Sequence, residues 1–166
     1  MSYNLAVFDP RPDLRDHVVF ESWFKLRTQW ADGLDYHNAA NATPNLQIWL
    51  EEMTKSFPRM NGARQPLAKS AEDLVWETDY VIGTDIIYAA FQSSKATVAH
   101  ETAFQLAARH GVGFYNVSGR GEVWFPTQSG TLEVTYEGQQ AASADPFSIR
   151  SIDTIVGSLL AKLRDG

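Results

Sequence analysis

An α+β fold is the architecture the sequence predicts. Three observations carry it: a β-rich hairpin pattern over 77–91, an alternating strand pattern over 131–137, and helical stretches placed between strands in the chain. The first element is the run NLAVF at 4–8, a short strand closed by Asp9-Pro10. Asp13 then precedes a helical pattern in which Val19, Trp23, Leu26 and Trp30 recur at spacings of four, three and four, one helix face. Residues 31–42 are polar and Asn-rich, a loop. Thr43-Pro44 is a helix start, an N-cap residue followed by proline at the first helical position. Leu46, Trp49, Leu50, Met53 and Phe57 form the apolar stripe of that second helix, and Pro58 ends it.

Residues 58–71 show no period and form a loop. It is basic, because Lys55, Arg59, Arg64 and Lys69 occur with no acid between Met53 and Ala71. The sign then reverses: Glu72, Asp73, Glu77, Asp79 and Asp85 occur with no base before Lys95. Inside this acidic stretch, ETDYVI and DIIYAAF flank Gly83-Thr84, and glycine at the first central position is the type II′ signature. That loop pairs Ile82 with Asp85, Tyr80 with Ile87 and Asp79 with Tyr88. Tyr80, Ile82, Ile87, Ala89 and Phe91 then face the core. Glu77, Asp79, Val81, Ile86 and Tyr88 form a mixed face open to water or a partner.

Ser94 is expected to cap a third helix over 95–110, with an alanine stripe (Ala96, Ala99, Ala103, Ala107) and Gly111 at C′. Two strands follow, VGFYNVS and EVWFP, joined by a turn at Gly119-Arg120-Gly121. TLEVTYE alternates Leu132, Val134 and Tyr136 against polar residues, as a half-buried strand does. Residues 138–144 read as a linker. Asp145-Pro146 starts a last helix with the stripe Ile149, Ile152, Val156, Leu159, Leu160 and Leu163.

Without one of the first two helices, the order reduces to β-α-β-β-α-β, the split βαβ arrangement of ferredoxin-like folds with an antiparallel-rich sheet. The crossover rule places strand 5–8 in the middle of that sheet beside the strand near 112–117. The expected domain is residues 1–126, with an extra N-terminal helix, and 127–166 form a strand-helix extension packed on it. Helices are expected on one sheet face, with the tail helix over part of the other face or an edge. The breadth of its stripe means that it docks on the domain or on a second copy of the chain.

Composition narrows the function. There is no cysteine, which excludes a disulfide framework, zinc ribbons, iron–sulfur clusters and a thiol nucleophile. Twenty acidic against 14 basic side chains give a net charge of −6, which argues against nucleic acid and for a cationic partner. The N-terminal apolar run is too short for a signal peptide or a span, so no membrane association is expected and the default compartment is cytoplasmic. His100-Glu101 lacks the second histidine of an HExxH motif, since position 104 is Phe104. His100 reads as a surface residue and His110 as a helix-end residue. Gly111-Val112-Gly113 follows a helix rather than a strand, so it is a C-cap and not a phosphate cradle. Ser118 has no nucleophile elbow around it. No catalytic, metal or cofactor residue is therefore assigned. Glu72, Asp73, Trp76, Glu77, Asp79, Asp85 and Tyr88 are the candidate partner-binding residues, acids interleaved with aromatics as in an interface that steers by charge and anchors by aromatic burial.

LAVFD at 5–9, TPNLQIWLEEMTKSFPRMNG at 43–62, DYVIG…IIYAAFQSSKA at 79–96, AARHGVGFYNVSG at 107–119 and EVWFP at 122–126 resemble a family of small bacterial proteins. Some of its members look like immunity proteins encoded beside contact-dependent or type VI secreted toxins. The resemblance covers about residues 3–126 and its motifs determine fold rather than catalysis. It implies a non-enzymatic immunity protein that binds and neutralises a toxin domain through the acidic and aromatic surface. The alternative is a small-molecule-binding or oxygenase-like enzyme with a pocket between sheet and helices, an expectation resting on fold analogy. The basic loop 55–69 and the tail are the other candidate surfaces.

Overall fold

Strand β1 (Ser2–Phe8) carries both cores of the molecule, because its alternate side chains leave the sheet in opposite directions and Leu5, Ala6, Val7 and Phe8 are all fully buried. The structure is a computed structural model and describes residues 1–60 and 70–137. After β1 come α1 (His17–Arg27), α2 (Pro44–Ser56), the single turn α3 (Ala71–Leu74), β2 (Asp79–Ile82) and β3 (Ile86–Gln92). Then follow α4 (Ala96–His110), β4 (Gly113–Tyr115), β5 (Glu122–Pro126) and β6 (Leu132–Glu137). The six strands form one antiparallel sheet in the order β2-β3-β1-β4-β5-β6. Its first four strands have the split βαβ order, with β1 beside β4 as the crossover rule requires. This is the α+β fold expected. The middle of loop 58–71, the linker at 138–144 and the tail helix lie outside the described residues.

On one face, Leu5, Val7, Tyr80, Ile82, Ile87, Ala89, Phe91 and Phe114 pack against α2 and α4. Thr43-Pro44 opens α2 as expected, although the Thr43 hydroxyl donates to Asp9 (2.8 Å) rather than capping the helix. Leu46, Trp49, Leu50, Met53 and Phe57 are buried, and the Trp49 indole N–H donates to the Ala103 carbonyl of α4 (3.1 Å). That close approach is what the alanine stripe permits, since Ala99, Ala103 and Ala107 are fully buried. Gly111 ends α4 in the left-handed region at φ 65°. The helix begins after a 3₁₀ turn over Ser93–Lys95, so Ser94 lies inside that turn and does not cap α4.

The opposite face is covered as well, by α1, so the helices are not confined to one sheet face as expected. Ala6, Phe8, Ile86, Tyr115, Val123 and Phe125 pack there with Leu14, Phe20 and Trp23. The stripe that α1 buries is Phe20, Trp23 and, in part, Phe24. Of the predicted stripe Trp23 is buried and Trp30 half-buried, whereas Val19 is 40% and Leu26 63% exposed. Two stripes of similar spacing run along this helix, and the aromatic one covers more sheet. Asp16, not Asp13, caps it by accepting from the Val19 N–H (3.1 Å).

The hairpin is offset from its predicted register. Ile82 pairs with Ile87, Tyr80 with Ala89, Val81 with Tyr88 and Asp79 with Ala90, so the loop residues are Thr84-Asp85. Gly83 donates its N–H to the Ile86 carbonyl (2.8 Å). It serves close packing here, since an added Cβ would press on Ile86 at 3.1 Å and meet Trp30 at 3.7 Å. Each partner has moved by two residues, which preserves the faces. In β6, Thr135 is the extra residue opposite the Val123–Trp124 step, a bulge that sends Leu132 to the α2 and α4 side and Tyr136 to the α1 side.

Candidate functional site

The acidic stretch does not form one surface. Glu72 and Asp73 are exposed on α3, where Asp73 and Ser70 close a reciprocal capping box. Trp76 is half-buried against Phe57, with the Lys95 ammonium 4.0 Å above its ring. These residues lie on the α2 and α4 side. Asp73 and Trp76 line a cleft of about 510 Å³ there, with Ser56, Pro58, Val98 and Thr102. Glu77 is only 7% exposed, contrary to expectation, because the chain at Pro58–Met60 hydrogen-bonds along Thr78 and covers the start of β2. Asp85 is buried as well. Its carboxylate accepts from the Trp23 indole (3.2 Å) and sits 3.1 Å from Arg27 Nε and 3.9 Å from Arg11. It anchors the hairpin turn to α1, which removes it from the partner surface.

Asp79 and Tyr88 lie on the other sheet face. The register makes them diagonal neighbours on that face, within reach of a long side chain. Tyr88 floors an open cleft of about 360 Å³ whose other walls are Phe24, Thr28, Trp30 and Val117. Four segments build it. Thr28 ends α1 by donating its hydroxyl to the Phe24 carbonyl (2.8 Å). Trp30 then adopts φ 50°, which turns the chain at the helix end. Its indole meets Tyr36 edge to face at 5.4 Å and Tyr88 at 6.5 Å, while Phe24 lies 6.5 Å from Tyr88. Tyr36 holds this corner to the sheet edge, its carbonyl accepting the Ile82 N–H (2.8 Å). Burial pushes the Tyr88 hydroxyl above its ordinary pKa, so it is a neutral phenol here.

Charges around this cleft are unequally committed. Arg27 is engaged by Asp85 and by Asp32 (3.7 Å). Among the described residues, the side-chain carboxylate of Asp79, half-buried on edge strand β2, makes no hydrogen bond or ion pair. Asp9 sits at the opposite end of the sheet. Burial raises its carboxyl above the usual range, the Thr43 hydroxyl opposes this, and nearby Asp85 adds to it.

A second polar cluster joins β1, α4 and the segment after β4. The Tyr3 hydroxyl donates to Asn116 Oδ1 (2.8 Å) and lies 2.7 Å from His100 Nδ1. Tyr3 has one proton to give, so His100 carries its own on Nδ1 and donates it to Tyr3. The imidazole stacks on Phe104 and meets Phe114 edge-on, and burial lowers its pKa. His100 is thus a half-buried strut rather than the freely exposed surface residue expected. His110 Nε2–H donates to the Glu52 carboxylate (2.9 Å) across α2 and α4, which lowers the Glu52 pKa. Among the described residues, no group of three or more His, Asp or Glu is placed to hold a metal. None of their helices is long and apolar enough to cross a membrane.

Trp30 and Phe24 are the cleft residues that sequence reasoning missed. Trp30 reads as one more member of a helix stripe, and nothing local signals its positive φ. No family model, curated protein or solved structure matches the chain.

Proposed function

We propose that the chain is a neutralising binder, an immunity protein for a basic antibacterial toxin domain, and that its contact face is the Tyr88 side of the sheet. The observation that carries this reading is the open aromatic cleft of Phe24, Trp30 and Tyr88 with the uncommitted carboxylate of Asp79 on the same face. The net charge of −6 supports it by favouring encounter with a cationic surface. The family resemblance supports the immunity role. The cleft's shape also favours a protein over an enclosed substrate, because it is open rather than closed over.

The test is genetic. Each gene flanking that of the chain is induced in a bacterial host with and without the chain. One product is expected to arrest growth, and co-expression of the chain should restore it. If no flanking product is toxic, or the toxic one is not relieved, the reading is wrong and the small-molecule alternative takes its place.

A further inference from the structure

We infer that the Tyr88 cleft is an arginine-binding subsite that receives a guanidinium side chain of the basic partner. The inference deepens the neutralising-binder reading and rests on it for the partner, though not for the subsite. Phe24, Trp30 and Tyr88 all line the cleft, and their ring planes differ in direction, Trp30 almost perpendicular to Tyr88 at 79° and Phe24 tilted 33° to it. A cation over such faces is attracted by the ring quadrupoles.

Among the described residues this chemistry already occurs with the chain's own cations. Lys95 sits 4.0 Å over Trp76, and Arg15 sits 4.8 Å over Phe125. Among the described residues no cation of the chain lies over Trp30 or Tyr88, and the nearby Arg27 is held by Asp85 and Asp32. Among the described residues the cleft thus lacks an internal cation, while its walls carry the same kind of aromatic ring. Asp79, one diagonal step from Tyr88 on the open part of the same sheet face, supplies the counter-charge. Arginine fits this set better than lysine. Its planar, weakly hydrated guanidinium stacks on aromatic faces, and its remaining N–H donors can fork onto a carboxylate. A volume of about 360 Å³ accommodates one such side chain with its apolar stem along Val117 and the Thr28 methyl.

The experiment titrates N-acetyl-arginine methylamide into the ¹⁵N-labelled full chain and follows the tryptophan indole N–H signals. Trp30 should shift and saturate. Trp49, bonded internally to Ala103, should not move. The lysine amide should bind more weakly, by about threefold or more. Asp79→Asn should weaken the arginine amide, and both Tyr88→Ala and the better-packing Tyr88→Leu should abolish the Trp30 shift while keeping the remaining spectrum. No saturable shift at Trp30, or one unaffected in both Tyr88 variants, would overturn the inference. Tetramethylammonium binding more tightly than the arginine amide would overturn it too, by assigning the cleft to a small quaternary ammonium ligand. The two proposals fail separately. Arginine binding without toxin neutralisation sinks the function and leaves the subsite, and neutralisation without arginine binding does the reverse.

Discussion

Gly113→Ala lowers folding stability by about 3 kcal/mol, or roughly 6–12 °C of Tm for a chain of this size. The effect is steric. The Gly113 backbone does not occupy the left-handed region, but a Cβ there would enter the ring of Phe8, closer than 3.0 Å to three of its carbons. That ring has no exit. It is fully buried and held by Phe20 at 5.2 Å, Trp23 at 5.6 Å and Phe125 at 5.4 Å. Since Phe8 and Gly113 are direct partners across β1 and β4, the clash forces the two central strands apart. Phe8→Leu should partly relieve it, so the double variant should melt above Gly113→Ala alone. Thermal denaturation checks both. A Gly113→Ala chain that melts within about 1 °C of the parent would show that Phe8 can move.

Asp85→Ala costs about 2–3 kcal/mol at neutral pH. Removing one partner of a buried ion pair leaves the other charge uncompensated, at about 3–5 kcal/mol when burial is complete. Here the Arg27 side chain is 30% exposed, so water takes up part of that cost. The Trp23 indole N–H also loses its acceptor inside the aromatic core. Asp85→Asn keeps an acceptor for Trp23 and loses only the charge, so it should fall between parent and Ala. Urea denaturation of the three proteins gives the order. Equal stability of Asp85→Ala and the parent would mean that the turn is not tied to α1 through this carboxylate. It would also return Asp85 to the candidate partner surface.

How far the sequence discloses this structure depends on the range of the forces involved. Thr43-Pro44, the alanine stripe and Gly111 are local signals, and α2 and α4 lie where those signals put them. The faces of the β2–β3 hairpin were legible although its loop was not, because displacing each partner by two leaves strand parity intact. Tertiary contacts decide the remainder. Phe20 and Trp23 win the buried side of α1 from Val19 and Leu26 only because β1, β4 and β5 offer Phe8, Tyr115 and Phe125 to pack on. Asp85 reads as one of five surface acids until Trp23, Arg27 and Arg11 arrive from other segments. The cleft was the least legible feature. Tyr88 was identified as a candidate, but its companions come from the end of α1, a positive-φ residue beyond it and the segment after β4.

On the proposed function, the partner meets the Tyr88 and Asp79 side of the sheet, not the exposed acids of α3. Association and dissociation rates of the purified chain with the flanking-gene product whose toxicity it is proposed to relieve, measured across a range of salt, decide this. Tyr88→Ala should speed dissociation by about tenfold or more while leaving association near parental, as loss of an aromatic anchor does. Asp79→Ser should slow association and flatten its salt dependence. The pair Glu72→Ser and Asp73→Ser should leave dissociation unchanged, since those carboxylates lie across the sheet. Parental dissociation in Tyr88→Ala, together with faster dissociation in the Glu72 and Asp73 pair, would contradict the account and move the interface to the Trp76 cleft.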